Sequence, residues 1–440
     1  NNGQLQDYAR VLDSNGLSVG GTAPDKHLIQ ITTEGLITLG RYPLIDYTGT
    51  IGGQGFAGLG LAPLPLGVTA TLEDNVANST IDLVITGTPG LTWTGSSSNF
   101  WDVGTTNNWV LDGTTTAAPF LDSKQVTFDD STATTVNTVE IAETVSPSIV
   151  SVAGSEDYTF SGAGIGGTAA LVKSGTGKLT LTNTNTNSGT IRVNGGTLSV
   201  GDGTMNGSLG SGNIVLGGGR VLVNQSGDVP FLHSVSRTGG IGKLGAGRLF
   251  LGEPGSTNTF SGSLTIAAGE VVAGRANIFS SAAVAVAAGA TFDFAGFNTG
   301  AGFIINGSGV NGEGALKSSS GQVLLSSLTL SSDASIGGGI GVYTAPPPYL
   351  PPYPETRVSV VGNHKLTKVG NGTASFTRTD IKVKDIVIDS GVFTLFESTK
   401  ITNENPGTIT INGGSLDFVS MALSNPYYML ATKAKPIVLN

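Results

Sequence analysis

The sequence predicts an all-β stacked coil, a β-solenoid, on three observations. A short phrase recurs along the chain. Brief alternating runs are separated by Gly, Asn, Ser and Asp turns every ~8 to 12 residues. No stretch shows a capped 3.6-residue pattern sustained over three turns. The phrase is clearest at Lys173-Ser174-Gly175-Thr176-Gly177-Lys178-Leu179-Thr180-Leu181 and at Lys243-Leu244-Gly245-Ala246-Gly247-Arg248-Leu249-Phe250-Leu251. Weaker copies begin at Lys317, with Gly321, Val323 and Leu325, and at Lys368, with Gly372, Ala374 and Phe376. In each a lysine precedes a Gly-containing turn that feeds an alternating strand. Repeats of this kind decide the architecture.

The four lysines are 70, 74 and 51 residues apart. At roughly 23 to 25 residues per coil these gaps hold about three, three and two coils. A second phrase, strand–Gly turn–strand, follows the first. It reads Gly189-Thr190-Ile191-Arg192-Val193-Asn194-Gly195-Gly196-Thr197-Leu198-Ser199-Val200 and is echoed from Ser263, Asp385 and Thr408. Alternation puts its Leu, Ile and Val side chains on one face.

The Lys-x-Gly-x-Gly-x-Leu-x-Leu turn with the Gly-Gly-Thr-Leu phrase resembles the passenger-associated, autotransporter-type β-strand repeats of bacterial surface proteins. The resemblance covers about residues 170 to 420. It implies a right-handed parallel β-helix and an extracellular or cell-surface location. It implies much less about any activity.

Composition bounds the function. Charged residues make up 12% of the 440, against ~25% in ordinary soluble domains. Gly accounts for 67 positions, and hydroxyls and amides supply most of the remaining polarity. The net charge of −9 is spread thinly and no basic stripe exists, which argues against nucleic acid as a partner. Cysteine is absent, so disulfides, thiolate-bound zinc and thiol catalysis are excluded. The apolar run from Ile51 to Val68 carries Pro63, Pro65 and several Gly, and reads as loop and strand rather than a membrane span. The chain opens at Asn1 without Met, as a processed chain or a piece of something longer does.

In order along the chain, residues 1–89 alternate as strands and resemble the closing segment of a preceding module of the same group. Residues 90–131 hold Trp93, Trp101 and Trp109 with Phe100, Phe120 and Phe128. Such rings suit a lid over the open apolar end of a coil stack. Burial is expected for them in preference to a sugar-stacking platform. Residues 132–426 form the main solenoid, some twelve coils at that repeat length. Within it, Asn183, Asn185 and Asn187 either ladder through their side chains or supply left-handed turn positions, the second being preferred. The Pro-rich run 345–354 cannot join a ladder. It is a stiff surface loop, or a docking arm with Tyr349, Leu350 and Tyr353 as anchors. Residues 427–440 leave the repeat pattern. Tyr427, Tyr428, Ile437 and Leu439 there are candidates for a cap or an inter-subunit strand. No outer-membrane barrel follows in this sequence.

Catalytic patterns are weak. Gly16-Leu17-Ser18-Val19-Gly20 has nucleophile-elbow spacing without the strand–turn–helix context it needs. Gly162-Ala163-Gly164-Ile165-Gly166-Gly167 fits a dinucleotide fingerprint formally, but strand follows it instead of helix. Asp129-Asp130 reads as a solvated turn in preference to a calcium site. No catalytic residue, metal or cofactor is therefore expected. The expected role is a non-enzymatic extracellular subunit that joins copies of itself head to tail into a filament or layer. A glycan- or matrix-binding adhesin is the alternative, and a polysaccharide-degrading enzyme a more distant one.

Overall fold

Period-two alternation becomes a stack because each short strand sends half its side chains inward. The computed structural model describes residues 9–20, 26–31, 40–64, 68–131, 136–252, 259–276, 278, 283–343, 357–396, 399–402, 404–419 and 435–440. In the strand Ala170–Lys173 the inward residues are Leu171 and Lys173. In Arg220–Val223 they are Val221 and Val223.

Each strand pairs in parallel with its counterpart one coil later, and inward residues line up in columns. The longest column is Tyr158, Leu179, Leu198, Val221, Ile241, Leu264, Val284, Phe303, Leu328, Val360, Ile381 and Ile401. Every member is buried. Successive members are 19 to 25 residues apart, except for the step of 32 from Leu328 to Val360. Many coils are thus shorter than the 23 to 25 expected, because strands of three or four residues and tight Gly turns suffice. At ~4.8 Å per rung the column is about 50 Å long.

Among the described residues the stack has four ladders, and its cross-section advances along the rod. The first ladder runs from Leu91–Trp93 to Thr259–Phe260. The second runs from Phe100–Trp101 to Lys400–Ile401. The third begins at Val229–Phe231, near where the first ends, and reaches Ile437–Leu439. The fourth runs from Val323–Leu325 to Ser415–Val419. Long strands such as Val358–Lys368 and Thr379–Ile388 cross the corner between the second and third ladders. Both ladders therefore belong to one 21-stranded sheet. Among the described residues the helical elements are two short 3-10 turns, Gly55–Gly58 and Val310–Gly312.

The N-terminal part combines two pairing modes. Ala9–Ser14, Ser18–Val19 and His27–Ile29 pair in parallel with Gly40–Thr48, Gly52–Gly53 and Leu59–Leu61, which makes two short coils. Gly40–Thr48 then pairs antiparallel with Thr80–Gly87, and that strand with Thr69–Asn75. Arg41 reaches the buried Asp82 at 3.0 Å, and the Tyr47 hydroxyl donates to Asp74 at 2.6 Å.

The tryptophan segment starts the first ladder with the same change of direction. Leu91–Trp93 lies parallel to Gln125–Phe128 but antiparallel to Trp109–Leu111, which pairs antiparallel with Ala117–Ala118. Trp93, Trp101 and Trp109 are at most 1% exposed. Their rings contact one another and Phe120 and Phe128 at centroid distances of 4.9 to 6.1 Å.

Candidate functional site

The recurring lysine occupies the corners of the rod. Lys173 stands in a column between Val152 and Val193, Lys243 between Val223 and Ile266, and Lys368 between Ile336 and Ile388. Their neighbours in the column are apolar, yet all three lysines are at most 1% exposed. The methylene stem fills the column while Nζ bends into the following turn. There it donates to main-chain carbonyls. Lys368 Nζ reaches Val369 O at 2.7 Å, Gly370 O at 2.6 Å and, from the next coil, Ser390 O at 3.2 Å. Lys243 Nζ donates to Gly245 O and lies 3.4 Å from Ala268 O of the next coil. Lys173 Nζ donates to Ser174 O at 2.5 Å.

A glycine one coil later closes each corner. Gly196, Gly269 and Gly391 have φ of +62°, +70° and +73°. A β-carbon on them would lie 3.0, 2.8 and 2.8 Å from the Nζ of Lys173, Lys243 and Lys368 respectively. Burial pushes Lys243 and Lys368 down to about 8, and lowers Lys173 in the same direction. The corner also moves. Lys173 turns the chain from the first ladder to the second, Lys243 from the second to the third, and Lys368 from the third to the fourth.

Lys317 is not a further copy of this corner. Its side chain points outward, 3.0 Å from Glu270 and 2.6 Å from Glu313. Burial lowers its pKa, but the two carboxylate hydrogen bonds outweigh that and raise it. Its column partner on the third ladder is Asp293, not an apolar residue. A groove of ≈ 660 Å³ lies beside it, lined by Glu313, Lys317, Gln322, Thr373 and a floor of glycines that includes Gly338, Gly370 and Gly372. Glu270 and Glu313 share one ammonium here, so they do not make a free acid–base pair.

The remaining sequence patterns fall on structural duties. Ser18 lies in a two-residue strand paired in parallel with Gly52–Gly53. Gly162 and Gly164 sit against the main chain of neighbouring coils. Asp130 accepts from the Ser155 and Glu156 amides, and Asp129 from Ser131. Among the described residues no cluster of His, Asp and Glu could hold a metal ion. Asn183, Asn185 and Asn187 are buried and have no positive φ, so the left-handed-turn reading is corrected. Their side chains donate to Ala163 O, Ser208 O and Ala169 O across the coils. Ile437 and Leu439 form the last described rung of the third ladder and are 53% and 75% exposed. Tyr349, Leu350, Tyr353, Tyr427 and Tyr428 lie outside the described residues.

Residues 171–200 and 242–273 match the passenger-associated-transport-repeat family. The chain is a β-solenoid that carries passenger-associated transport repeats. Each matched segment of this passenger-repeat rod spans one lysine corner together with its closing glycine, Lys173 with Gly196 and Lys243 with Gly269. Such a repeat implies a secreted or surface-exposed protein. Among curated proteins and among solved structures nothing matches the chain. Among the described residues no helix is long and apolar enough to cross a membrane.

The corners were missed as buried sites by sequence reasoning, which took the lysine as a mere repeat marker. A signal was present. A Gly follows each true corner lysine by 23 to 26 residues, one coil, at Gly196, Gly269 and Gly391.

Proposed function

We propose that this passenger-repeat rod is a non-enzymatic structural subunit outside the cell, which joins further copies end to end in a fibre or surface layer. One observation carries the reading: apolar columns buried along the rod run out onto exposed rungs. Ile409 is 3% exposed and Ile437, stacked on it, 53%; Leu395 is 3% exposed and Phe418, stacked on it, 55%. A sheet edge that carries apolar side chains is a template for another chain's strands. On the N-terminal coils, Ala9–Ser14 and His27–Ile29 are edge strands among the described residues, with Leu12 and Leu28 well exposed. Unlike ends give heterologous contacts, which run on into open filaments. The tryptophans serve this reading indirectly, by sealing the apolar columns within 90–131. Electron micrographs of the purified chain at rising concentration test it: the reading requires rods that lengthen, and single rods at every concentration refute it.

A second reading, an adhesin for glycans, is favoured by the groove beside Lys317. Its glycine floor lets a ligand approach the main chain, and Glu313, Gln322 and Thr373 supply polar contacts. A glycan array tests it; an empty array removes it.

A further inference from the structure

The three lysine corners share a construction that column packing does not require. A Leu or Met in place of each lysine would fill the column as well. Instead the chain carries a cationic nitrogen into a site that is at most 1% exposed and hands it main-chain oxygens, three at Lys368, two at Lys243 and one at Lys173. In the Lys368 corner the donors reach Val369 O and Gly370 O of one coil and Ser390 O of the next. The absent β-carbon of Gly391 leaves the room that Nζ needs. The Lys243 corner repeats the bridge through Gly245 O and Ala268 O. A buried carbonyl without a donor is costly, and turn carbonyls at a corner point away from the ladder that would otherwise satisfy them.

We propose that the Lys243 and Lys368 corners are each a binding nest for one primary amine nitrogen, filled by the chain's own lysine, and that this nitrogen locks successive coils together where the rod changes face; Lys173, which donates to Ser174 O in its own turn, has the same placement without that bridge. The nest is selective by shape. Three N–H donors on one nitrogen match carbonyls that converge from two coils, and a nitrogen without N–H groups cannot answer them. The lock is independent of any carboxylate at Lys368, where burial alone shifts the amine. At Lys243, Asp228 acts only as a more distant charge.

The test uses the full chain and the Lys368 corner. Lys368→Met keeps the column filled and removes the nitrogen. Hydrogen exchange is read at the amides of Val392 and Ser415, which donate to Gly372 O and Gly391 O within the corner. The lock predicts exchange at least ~10-fold faster there than in the parent chain, the loss of roughly one buried hydrogen bond. Unchanged exchange overturns the proposal, because the column alone then holds the coils. A Met variant that no longer folds counts for the lock, since Met replaces the lysine stem with similar apolar volume. Lys368→Ala, soaked with ethylammonium or tetramethylammonium chloride at equal ionic strength, tests selectivity. Slowed exchange with ethylammonium alone supports the nest. An equal effect of both salts, or of neither on a folded variant, overturns it.

Discussion

Lys368 Nζ lies 2.8 Å from the point that a β-carbon on Gly391 would occupy, one coil further along the rod. The same point is 2.4 and 2.5 Å from Gly370 O and Gly372 O. Gly391 is therefore fixed both by its φ of +73° and by space. Gly370 has a similar φ of +72°, but nothing lies within 4 Å of its missing β-carbon. Gly370→Ala is expected to cost about 1–2 kcal/mol for the left-handed backbone alone. Gly391→Ala is expected to cost more, on the order of 3–4 kcal/mol. Urea unfolding of the two variants checks the difference; equal costs contradict the close approach.

Stability should rise with pH between about 8 and 10. The unfolded chain keeps its lysines protonated up to about pH 10.4, while folded Lys243 and Lys368 release a proton near 8. Through that window the unfolded state binds more protons, so raising the pH favours the folded state. A neutral amine still has two N–H donors, so the corners stay closed. Above about pH 10 the sign reverses, because Tyr47 and Tyr158 are pushed up to about 12 and keep protons that the unfolded chain loses. Denaturant midpoints at pH 7, 9.5 and 11.5 should pass through a maximum; a monotonic fall from pH 7 contradicts this.

Trp101→Ala should unravel the rod from one side. The ring is fully buried and lies 5.3 to 6.0 Å from Trp109, Phe120, Phe128 and Phe160. Its loss is expected to cost about 3–5 kcal/mol. Coils of a solenoid contact mainly their neighbours, so hydrogen exchange should accelerate over 90–160 and stay slow over 357–396. Uniform acceleration would show that the coils unfold as one unit.

Lys317→Met leaves Glu270 and Glu313 side by side without their shared cation. The expected loss is about 1–3 kcal/mol at pH 7, since the pair is only partly buried. The loss should shrink at about 1 M salt, where repulsion between the exposed parts of the two carboxylates is screened. A penalty that is equal at low and high salt contradicts the charge argument.

Much of this architecture was legible in the sequence. Alternation in Lys178–Leu181 or Arg248–Leu251 says which side chains face inward, and the Gly turns say where each coil bends. The repeat phrase marked the corners of Lys173, Lys243 and Lys368. It also marked Lys317, whose turn does feed the strand Val323–Leu325, but spacing to Gly321 and Val323 does not reveal that this lysine is paired with Asp293 and not with an apolar residue. Column membership depends on pairing across coils, which a single strand does not encode. The advance of the cross-section was hidden for the same reason. So were the roles of Asn183, Asn185 and Asn187, whose partners lie about 20 residues away in sequence. The tryptophans were placed inside correctly because three indoles among apolar residues leave little else for them to do.

The end-to-end reading rests on exposed rungs that continue buried columns. The most direct measurement is sedimentation of the parent chain against a Phe418→Asp, Ile437→Asp double variant across a concentration series, with circular dichroism to confirm that both are folded. The account predicts that the parent chain sediments faster as concentration rises, while the folded variant stays a single rod. Concentration-dependent assembly that is identical in both, or its absence from the parent chain, would contradict it.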